Sequence, residues 1–283
     1  MKILIIGVNG QVGHALKRTL EDNELISLTR QDCDLIEPDQ IKRIIDHYKP
    51  NLIINSAAYT KVDQAEIEKD LAFKINRDAP KVIAAKAHEH KIPLIHFSTD
   101  YVFDGSKEGF YLEEDEAHPL GIYGESKLAG EEAINVIGGK FYILRTSWIY
   151  SNIGHNFYLT MKRLSHDKDQ IRVVGDQFGT PTSNLFIAHQ IKKIIPQLSN
   201  ENIGTYNLVP DGSCSWYTFA KIIFEKMNSG YNFDYLLKIK TSDFPVKAKR
   251  PKNSKLSNEK IKRTFMLKFS NWQSELDRIM NEA

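Results

Sequence analysis

Three glycines directly after the first apolar segment constrain this chain more than any other feature. Residues Lys2–Ile6 predict a short buried strand. After this strand come Gly7, Gly10 and Gly13, at the start of a predicted amphipathic helix over residues 11–20. Glycines in such a unit let the backbone turn sharply and approach a pyrophosphate, whose charge the helix N-terminus stabilises. The spacing G-x-x-G-x-x-G alone would also suit a plain tight turn. Its position in the first strand-to-helix connection favours dinucleotide binding.

The rest of the first half alternates short apolar runs with amphipathic ones, which is typical of β-α-β units around a parallel sheet. The pattern predicts strands over residues 25–28, 52–55, 93–97 and 141–145, and helices from Pro38 and over 63–76, 79–90 and 123–136. We therefore predict an α/β fold in which residues 1–148 form one domain with a doubly wound, Rossmann-type parallel sheet.

The alternation weakens after Trp148. The remaining sequence predicts fewer elements, namely a helix over 185–195, a strand over 205–209, and helices over 216–227 and 271–280. Between the last two helices the sequence is basic and irregular. We expect residues 149–283 to form mostly a smaller C-terminal substrate-binding domain, interleaved with the first domain, which also takes in about residues 184–210.

Charge and cysteine content exclude several classes of protein. The net charge is +2 over 283 residues, but residues 1–246 carry a net −4 and residues 247–283 a net +6. The near-neutral charge of residues 1–246 argues against nucleic-acid binding. Only residues 247–283, the basic tail, need a separate explanation for their charge. The N-terminal apolar run is too short for a signal peptide, and nothing later approaches the ~20 apolar residues of a membrane span. Cys33 and Cys214 lack metal-site spacing, so we expect reduced thiols in a cytoplasmic protein that binds neither membranes nor nucleic acid.

The end of the second strand bears on the choice of cofactor. NAD-preferring sites usually place an acidic residue there to bind the ribose 2′-hydroxyl, whereas this chain has Thr29 and Arg30. A cation suits a 2′-phosphate. The sequence therefore favours NADPH, with NADH as the alternative, and residues 1–148 are expected to bind NADP(H). The plain alternative for Arg30 is an exposed surface arginine.

The pattern Tyr-x-x-x-Lys occurs three times, at Tyr123/Lys127, Tyr158/Lys162 and Tyr217/Lys221. Only Tyr123 follows a predicted strand that ends in a polar group, Thr99, within the first domain, where parallel strands bind ligands at their carboxyl ends. Lys127 lies on the same helix face, so we expect it to lower the pKa of the phenol from about 10 by roughly 1–3 pH units. Tyr123 then becomes a candidate general acid for a carbonyl under reduction, with Thr99 as a second hydrogen-bond donor.

Seven segments resemble the extended short-chain dehydrogenase/reductase superfamily, and more narrowly the dTDP-4-dehydrorhamnose reductase family: residues 7–13, 55–63, 98–103, 123–131, 145–148, 176–182 and 250–254. The first three kinds of match are shared widely in the superfamily. The last three segments contain the sequences Thr-Ser-Trp, Asp-Gln-Phe-Gly and Arg-Pro-x-Asn-Ser, which are shared by a much narrower group of proteins. The resemblance covers most of the chain.

The resemblance implies a role for each matching residue. Tyr123 would be the proton donor, Lys127 its partner, and Thr99 a group that tunes the phenol and contacts substrate. The cofactor would contact Gly10, Gln11 and Val12 at the pyrophosphate, Asp34 and Leu35 at the adenine, and Ala58, Tyr59 and Thr60 on the ribose and nicotinamide side. The sugar nucleotide would contact Asp100, Trp148, Gln177 and Arg250, the last through its diphosphate.

The function implied is NADPH-dependent reduction of the 4-keto group of a dTDP-linked 4-keto-6-deoxyhexose, dTDP-4-dehydro-L-rhamnose, to dTDP-L-rhamnose. A nucleotide-sugar dehydratase, an epimerase or another 4-ketoreductase of the superfamily is an alternative, although Tyr101 replaces the glutamate of dehydratases. A non-catalytic, NADP-binding regulatory subunit is another. Some members form magnesium-linked dimers through acidic residues. Ala15 and Leu185 stand at the comparable positions here, so we expect no metal, and a homodimer stays open.

Overall fold

Strands and helices alternate through much of the chain in the computed structural model, which describes residues 1–165, 170–227 and 230–282. The described strands are β1 (Lys2–Ile6), β2 (Glu24–Leu28), β3 (Leu52–Asn55), β4 (Leu94–Thr99), β5 (Phe141–Thr146), β6 (Ile149–Tyr150), β7 (Ile171–Val174), β8 (Phe178–Gly179), β9 (Thr182–Ser183), β10 (Gly204–Asn207), β11 (Cys214–Ser215) and β12 (Leu236–Ile239). The described α-helices are α1 (Gln11–Thr19), α2 (Pro38–Tyr48), α3 (Val62–Ala65), α4 (Lys69–Phe73), α5 (Ala79–Glu89), α6 (Ile122–Ile137), α7 (Phe157–Leu164), α8 (Asn184–Ile194), α9 (Trp216–Met227), α10 (Glu259–Thr264) and α11 (Trp272–Asn281). A π-helical turn, Lys74–Asp78, joins α4 to α5.

The main sheet has six parallel strands in the order β2-β1-β3-β4-β5-β10. The chain adds β2 on one side of β1 and then β3 on the other, so the direction of winding reverses between β1 and β3. Open α/β sheets bind ligands at such a switch point, outside the carboxyl ends of the strands. The prediction of a doubly wound parallel sheet is confirmed.

Helices cover both faces of this sheet. Ile3 and Ile5 of β1 are buried against α1 and α8 on one face. Leu4 and Ile6 are buried against α2 and α5 on the other. Neighbouring side chains of a strand point to opposite faces, and both faces here are apolar, so β1 is apolar along its whole length.

Part of the second half of the chain completes the main sheet. Helix α8 packs against α1, and β10 pairs with β5 to form one edge of the sheet. Most other elements of the second half surround a separate apolar core built from α7, α9 and α11, whereas Ile261 of α10 is buried in the core of the main sheet. None of the described helices combines the length and the apolar character needed to cross a bilayer.

Two predicted segments differ from the structure. The sequence between α9 and α11 is not wholly irregular, because it contains α10 and also β12, which pairs with β7. Strand β12 is short, and its pairing partner lies more than sixty residues away, which a local pattern does not reveal. The single helix predicted over 63–76 is divided into α3, α4 and the π-helical turn.

Candidate active site

The glycine loop lies at the switch point of the sheet, between β1 and α1. Gly7 has a φ of +89°, which side chains rarely adopt, and its N–H donates to the Leu28 carbonyl at 2.8 Å. At Gly13, a Cβ atom would lie 2.2 Å from the Gly7 carbonyl oxygen. Both positions therefore need glycine, since the loop and the first helical turn pack backbone against backbone.

A cleft of about 470 Å³ opens beside this loop. Among the described residues no side chain caps α1, so the N–H groups of its first turn are free to bind an anion. Nine of the predicted cofactor residues line the cleft, namely Gly7, Gly10, Gln11, Val12, Arg30, Asp34, Leu35, Ala58 and Thr60. A helix N-terminus that meets small residues fits the pyrophosphate of a dinucleotide.

One wall of the cleft comes from a segment for which we had predicted no role. Residues Ile149, Gly154 and His155 line it. The Gln11 side-chain oxygen accepts hydrogen bonds from the Ser151 hydroxyl at 2.8 Å and from the Asn156 amide at 2.9 Å. These contacts join residues about 140 positions apart, and nothing in the local sequence signals them. Gly13, Tyr59, Tyr123 and Lys127 lie outside the lining of this cleft.

Arg30 lies at the rim of the cleft with three-quarters of its side chain exposed. Its Nε atom is 3.7 Å from a carboxylate oxygen of Asp34. Asp32 accepts hydrogen bonds from the N–H and the hydroxyl of Thr29, at 2.9 and 2.7 Å. The cleft is therefore lined near this strand end by the Arg30 cation and the Asp34 carboxylate, while Asp32 is held by Thr29.

Asn76, in the π-helical turn, is a buried residue that the sequence patterns did not single out. Its Oδ1 accepts from the Tyr59 N–H at 2.8 Å, and its Nδ2 donates to the Tyr59 carbonyl and to the Ser126 hydroxyl, both at 3.0 Å. This one side chain therefore ties the loop after β3 to α6. π-Helical turns frequently occur at functional sites, and here the turn aligns the two parts of the candidate site.

Tyr123 lies in the first turn of α6, with its phenol near the end of β4. Burial raises the pKa of Tyr123 to about 12, although a hydrogen bond with Thr99 acts in the opposite direction. The Lys127 Nζ donates to the Phe97 carbonyl at 2.6 Å. The expectation that Lys127 lowers the pKa of the phenol is wrong for this structure, because desolvation dominates.

Asp100 follows Thr99 directly and is also buried. Its Oδ1 accepts from the Thr99 hydroxyl at 3.0 Å, while its Oδ2 has no partner among the described residues. Burial raises the pKa of Asp100 to about 6, although hydrogen bonds with Ser254 and Thr99 lower it. An unpaired buried carboxylate oxygen close to Tyr123 is a ready acceptor for a substrate hydroxyl.

We expect Asp100→Asn to make the protein more stable at pH 8, by about 3 kcal/mol at most. The carboxyl has a pKa of about 6 when folded, above its unfolded value, so stability is lost as the pH rises from about 4 to about 6 and stays lower above pH 6. Well below the unfolded value of about 4 both states are protonated and the difference should vanish. Urea unfolding at pH 8 and at about pH 3 measures this. Equal stability of the two proteins at pH 8 would contradict the assigned cause.

Trp148 and Gln177 lie where the second half of the chain meets the sheet. Trp148 has a φ of +46°, and its ring stacks on that of Trp216 with centroids 3.5 Å apart. A Cβ atom on Gly179 would lie 2.5 Å from this ring, so the glycine makes room for it. Gln177 is buried and donates to the Thr241 hydroxyl at 3.2 Å.

Arg250 closes the site from the basic tail. Its guanidinium donates to an Asp63 carboxylate oxygen at 2.7 Å and hydrogen-bonds Tyr101. The Tyr101 ring meets the Tyr123 ring edge to face, with centroids 5.6 Å apart. Arg250 therefore lies next to the candidate proton donor, and one carboxylate orients it.

Comparison with known proteins supports this description along the whole chain. The family model for the RmlD substrate binding domain matches residues 1–283. A dTDP-4-dehydrorhamnose reductase from Aggregatibacter actinomycetemcomitans is 40% identical over 98% of both chains, and one from Escherichia coli K12 is 37% identical over 100% of this chain and 98% of its own. The crystal structure of the Bacillus anthracis dTDP-4-dehydrorhamnose reductase in complex with NADP has a TM-score of 0.94 at 36% identity and covers 100% of this chain and 99% of its own. This chain belongs to the dTDP-4-dehydrorhamnose reductase family.

Proposed function

We propose that this protein reduces the 4-keto group of dTDP-4-dehydro-L-rhamnose with NADPH, and that dTDP-L-rhamnose is the product. One observation carries the assignment. The Thr99–Tyr123 pair lies at the end of β4, beside the switch point that holds the glycine loop, in a chain that matches reductases of this name over its full length. Tyr101, hydrogen-bonded to Arg250, occupies the position of the dehydratase glutamate, which disfavours elimination chemistry.

The glycine loop and the ends of β2 and β3 would hold the cofactor. Bound NADPH supplies a hydride to the sugar C4. The N–H groups of α1 would bind its pyrophosphate, and Arg30 its 2′-phosphate. The remaining proposed contacts are Gly7, Gly10, Gln11, Val12, Gly13, Asp34, Leu35, Ala58, Tyr59, Thr60, Tyr123 and Lys127.

Tyr123 would supply the proton. As the carbonyl is reduced, negative charge develops on the sugar oxygen, and the O–H bond of Tyr123 breaks as a new O–H bond forms on that oxygen. A phenol with a pKa of about 12 is fully protonated at pH 7, and an alkoxide is more basic than a phenolate, so the transfer is downhill. The Thr99 hydroxyl, which donates its one proton to Asp100 Oδ1 in this structure, would turn to donate it to the phenolate that remains, until a proton from solvent restores the phenol.

The substrate would lie against Thr99, Asp100, Trp148, Gln177 and Arg250. We propose that residues 1–148 with about 184–210 form the NADP(H)-binding unit, and that most of 149–283 forms the substrate-binding unit. We further propose that the protein is cytoplasmic and forms a homodimer. The proposed reductase activity requires neither.

Arg30→Ala should remove most of the preference for NADPH over NADH. One exposed charge-assisted hydrogen bond to the 2′-phosphate would account for about a tenfold difference in affinity. Fluorescence titration of both cofactors into both proteins measures it. Equal affinity of the unmodified protein for NADPH and NADH would rule out this role of Arg30 and leave the reductase assignment standing.

Arg250→Ala should raise KM for the sugar nucleotide about tenfold and leave NADPH affinity unchanged, because the guanidinium is proposed to bind the diphosphate. Lys247→Ala is the matched control, since Lys247 is an exposed cation of the same tail. Steady-state kinetics with each variant measures KM. An unchanged KM in Arg250→Ala would return this residue to a purely structural pairing with Asp63.

The decisive experiment assays a panel of nucleotide-linked 4-keto-6-deoxy sugars for NADPH oxidation. Fastest turnover with dTDP-4-dehydro-L-rhamnose would support the proposal. Faster turnover of another base or sugar would assign a related 4-ketoreductase. Binding of NADPH without turnover of any substrate would favour the regulatory-subunit alternative.

A further inference from the structure

Trp148 has a backbone conformation that tryptophan rarely adopts. It belongs to the two-residue connection between β5 and β6, and its φ of +46° lies in the left-handed region. For a residue with a Cβ atom this region is disfavoured by a factor of about 5 to 30. The surrounding structure must therefore hold Trp148 in this conformation, and such residues cluster at functional sites.

The position of this connection places Trp148 near the reacting end of the proposed substrate. Strands β4 and β5 are paired, and their last residues, Thr99 and Thr146, lie opposite each other. Thr99 hydrogen-bonds the Tyr123 phenol, and Trp148 follows Thr146 by two residues. Because the 4-keto group must reach Tyr123, the part of the sugar nucleotide that lies against Trp148 is the hexose.

Two neighbours fix the indole ring of Trp148. The Trp216 ring stacks on it with centroids 3.5 Å apart and an angle of 10° between the planes, so it covers one face. Gly179 lies close to the same ring, since the three atoms nearest to an added Cβ, at 2.5 to 2.8 Å, all belong to Trp148. The φ of Gly179 is outside the left-handed region, so the glycine is needed for this contact and not for a turn.

Trp216 is the anchored member of the stacked pair. It begins α9, and the Ser215 hydroxyl caps this helix by accepting from the Thr218 N–H at 3.1 Å. Strand β11, which ends at Ser215, pairs with β8, which ends at Gly179. The two groups that hold the Trp148 ring are therefore joined by one small ladder of strands.

Strand β8 also connects this pair to the other proposed substrate contacts. The Phe178 N–H donates to the Lys252 carbonyl at 2.8 Å, and the Phe178 carbonyl accepts from the Ser254 N–H at 2.7 Å. Arg250 lies two residues before Lys252, and Gln177 directly precedes β8. The strand therefore fixes the ring that would face the sugar relative to the guanidinium that would face the diphosphate.

Resting on the reductase function above, we propose that Trp216 and Gly179 are positioning residues that hold the Trp148 ring as a wall of the sugar subsite. An aromatic pair contributes a factor of about 2 to 10 to an equilibrium constant. This is close to the factor by which the backbone of Trp148 is disfavoured, so loss of the stack lets the residue move. A displaced ring no longer covers the hexose, whereas the contacts of the diphosphate and of NADPH remain.

Circular dichroism of the protein without substrate tests the arrangement. Two stacked indole rings couple electronically and give a pair of far-ultraviolet bands of opposite sign. We expect this signal in the unmodified protein and its loss in Trp148→Phe and in Trp216→Phe. Gly179→Ala keeps all three tryptophans of the chain, yet it should weaken the signal because the new Cβ displaces the Trp148 ring. An absent signal in the unmodified protein, or an unchanged one in Gly179→Ala, would overturn the proposal.

Binding of dTDP-L-rhamnose at saturating NADPH gives the second readout, because no reduction can follow. Isothermal titration should show about tenfold weaker binding in Trp216→Leu and in Gly179→Ala. Trp216→Phe should bind almost normally, since a phenyl ring can still stack on Trp148. The affinities for NADPH and for dTDP, which lacks the sugar, should be unchanged in all three variants.

Phe219→Leu is the matched control. Phe219 lies one turn after Trp216 on α9 and is buried in the same core, so its replacement should lower stability without weakening the binding of dTDP-L-rhamnose. Equal weakening in Phe219→Leu would show a merely structural role, and weaker binding of dTDP in Trp216→Leu would contradict the sugar subsite. If the unmodified protein binds no dTDP-L-rhamnose, the reductase assignment fails, while the dichroism still reports the stacked pair.

Discussion

Tyr123→Phe should cut turnover of the 4-keto sugar by roughly 10²–10⁴, the usual contribution of a positioned general acid. The phenol oxygen is the only part removed, and the ring keeps its edge-to-face contact with Tyr101. Folding and NADPH binding should therefore be preserved. Single-turnover kinetics at saturating NADPH, together with a cofactor titration, separates loss of chemistry from loss of binding.

The chain offers two matched controls for this substitution. Tyr158 and Tyr217 each precede a lysine by four residues but lie on α7 and α9, in the second half of the fold. The Tyr158 hydroxyl is buried without a partner among the described residues, so Tyr158→Phe should cost little. Tyr217→Phe should also leave turnover nearly unchanged. Near-normal turnover by Tyr123→Phe, or an equal loss in either control, would refute the assignment of Tyr123.

Gly13→Ala should weaken NADPH binding by about a hundredfold and lower the free energy of unfolding by roughly 1–3 kcal/mol. The new Cβ atom would lie 2.2 Å from the Gly7 carbonyl oxygen and 2.8 Å from the Val8 Cα, and these backbone atoms can give way only if the loop moves. A displaced loop loses several N–H contacts to the pyrophosphate at once. Isothermal titration with NADPH and urea unfolding measure the two effects.

Gly10→Ala is the control, because its Cβ atom would meet only the Gly7 carbonyl oxygen, at 3.3 Å, and its φ of −77° suits any residue. Its stability should stay close to that of the unmodified protein, whatever it does to cofactor binding. If Gly13→Ala were as stable as Gly10→Ala and bound NADPH normally, the close backbone packing would not be what requires glycine.

Features that depend on neighbouring residues could be predicted from the sequence. The β1–glycine loop–α1 unit is local, so its pattern appears within twenty residues, and the structure has it with nearly the predicted bounds. The candidate residues Thr99 and Tyr123 could be chosen together because each lies close to a predicted strand end or helix start. The doubly wound sheet follows from the repeated alternation of strand and helix.

Features that depend on distant partners could not be predicted. The pairing of Arg250 with Asp63 spans 187 positions, and His96 reads as a core residue because apolar neighbours surround it. The pKa of Tyr123 is raised and not lowered, because burial of the phenol dominates and sequence spacing does not show burial. The spacing places Lys127 on the right helix face, but its amine contacts Phe97 and His96. Side-chain direction and burial, which decide these cases, are properties of the folded chain.

Strand β10 and helix α8 belong to the second half of the sequence, yet they pack with the main sheet. This limits how the protein can be recombined with its relatives. A chimaera that exchanges residues 1–148 alone would set a foreign β5 edge against the native β10 and a foreign α1 against the native α8. Crossovers should instead keep residues 184–207 with the first part, so that both partners of each contact have the same ancestry. Gln11 adds a further constraint, since Ser151 and Asn156 must come from the same parent.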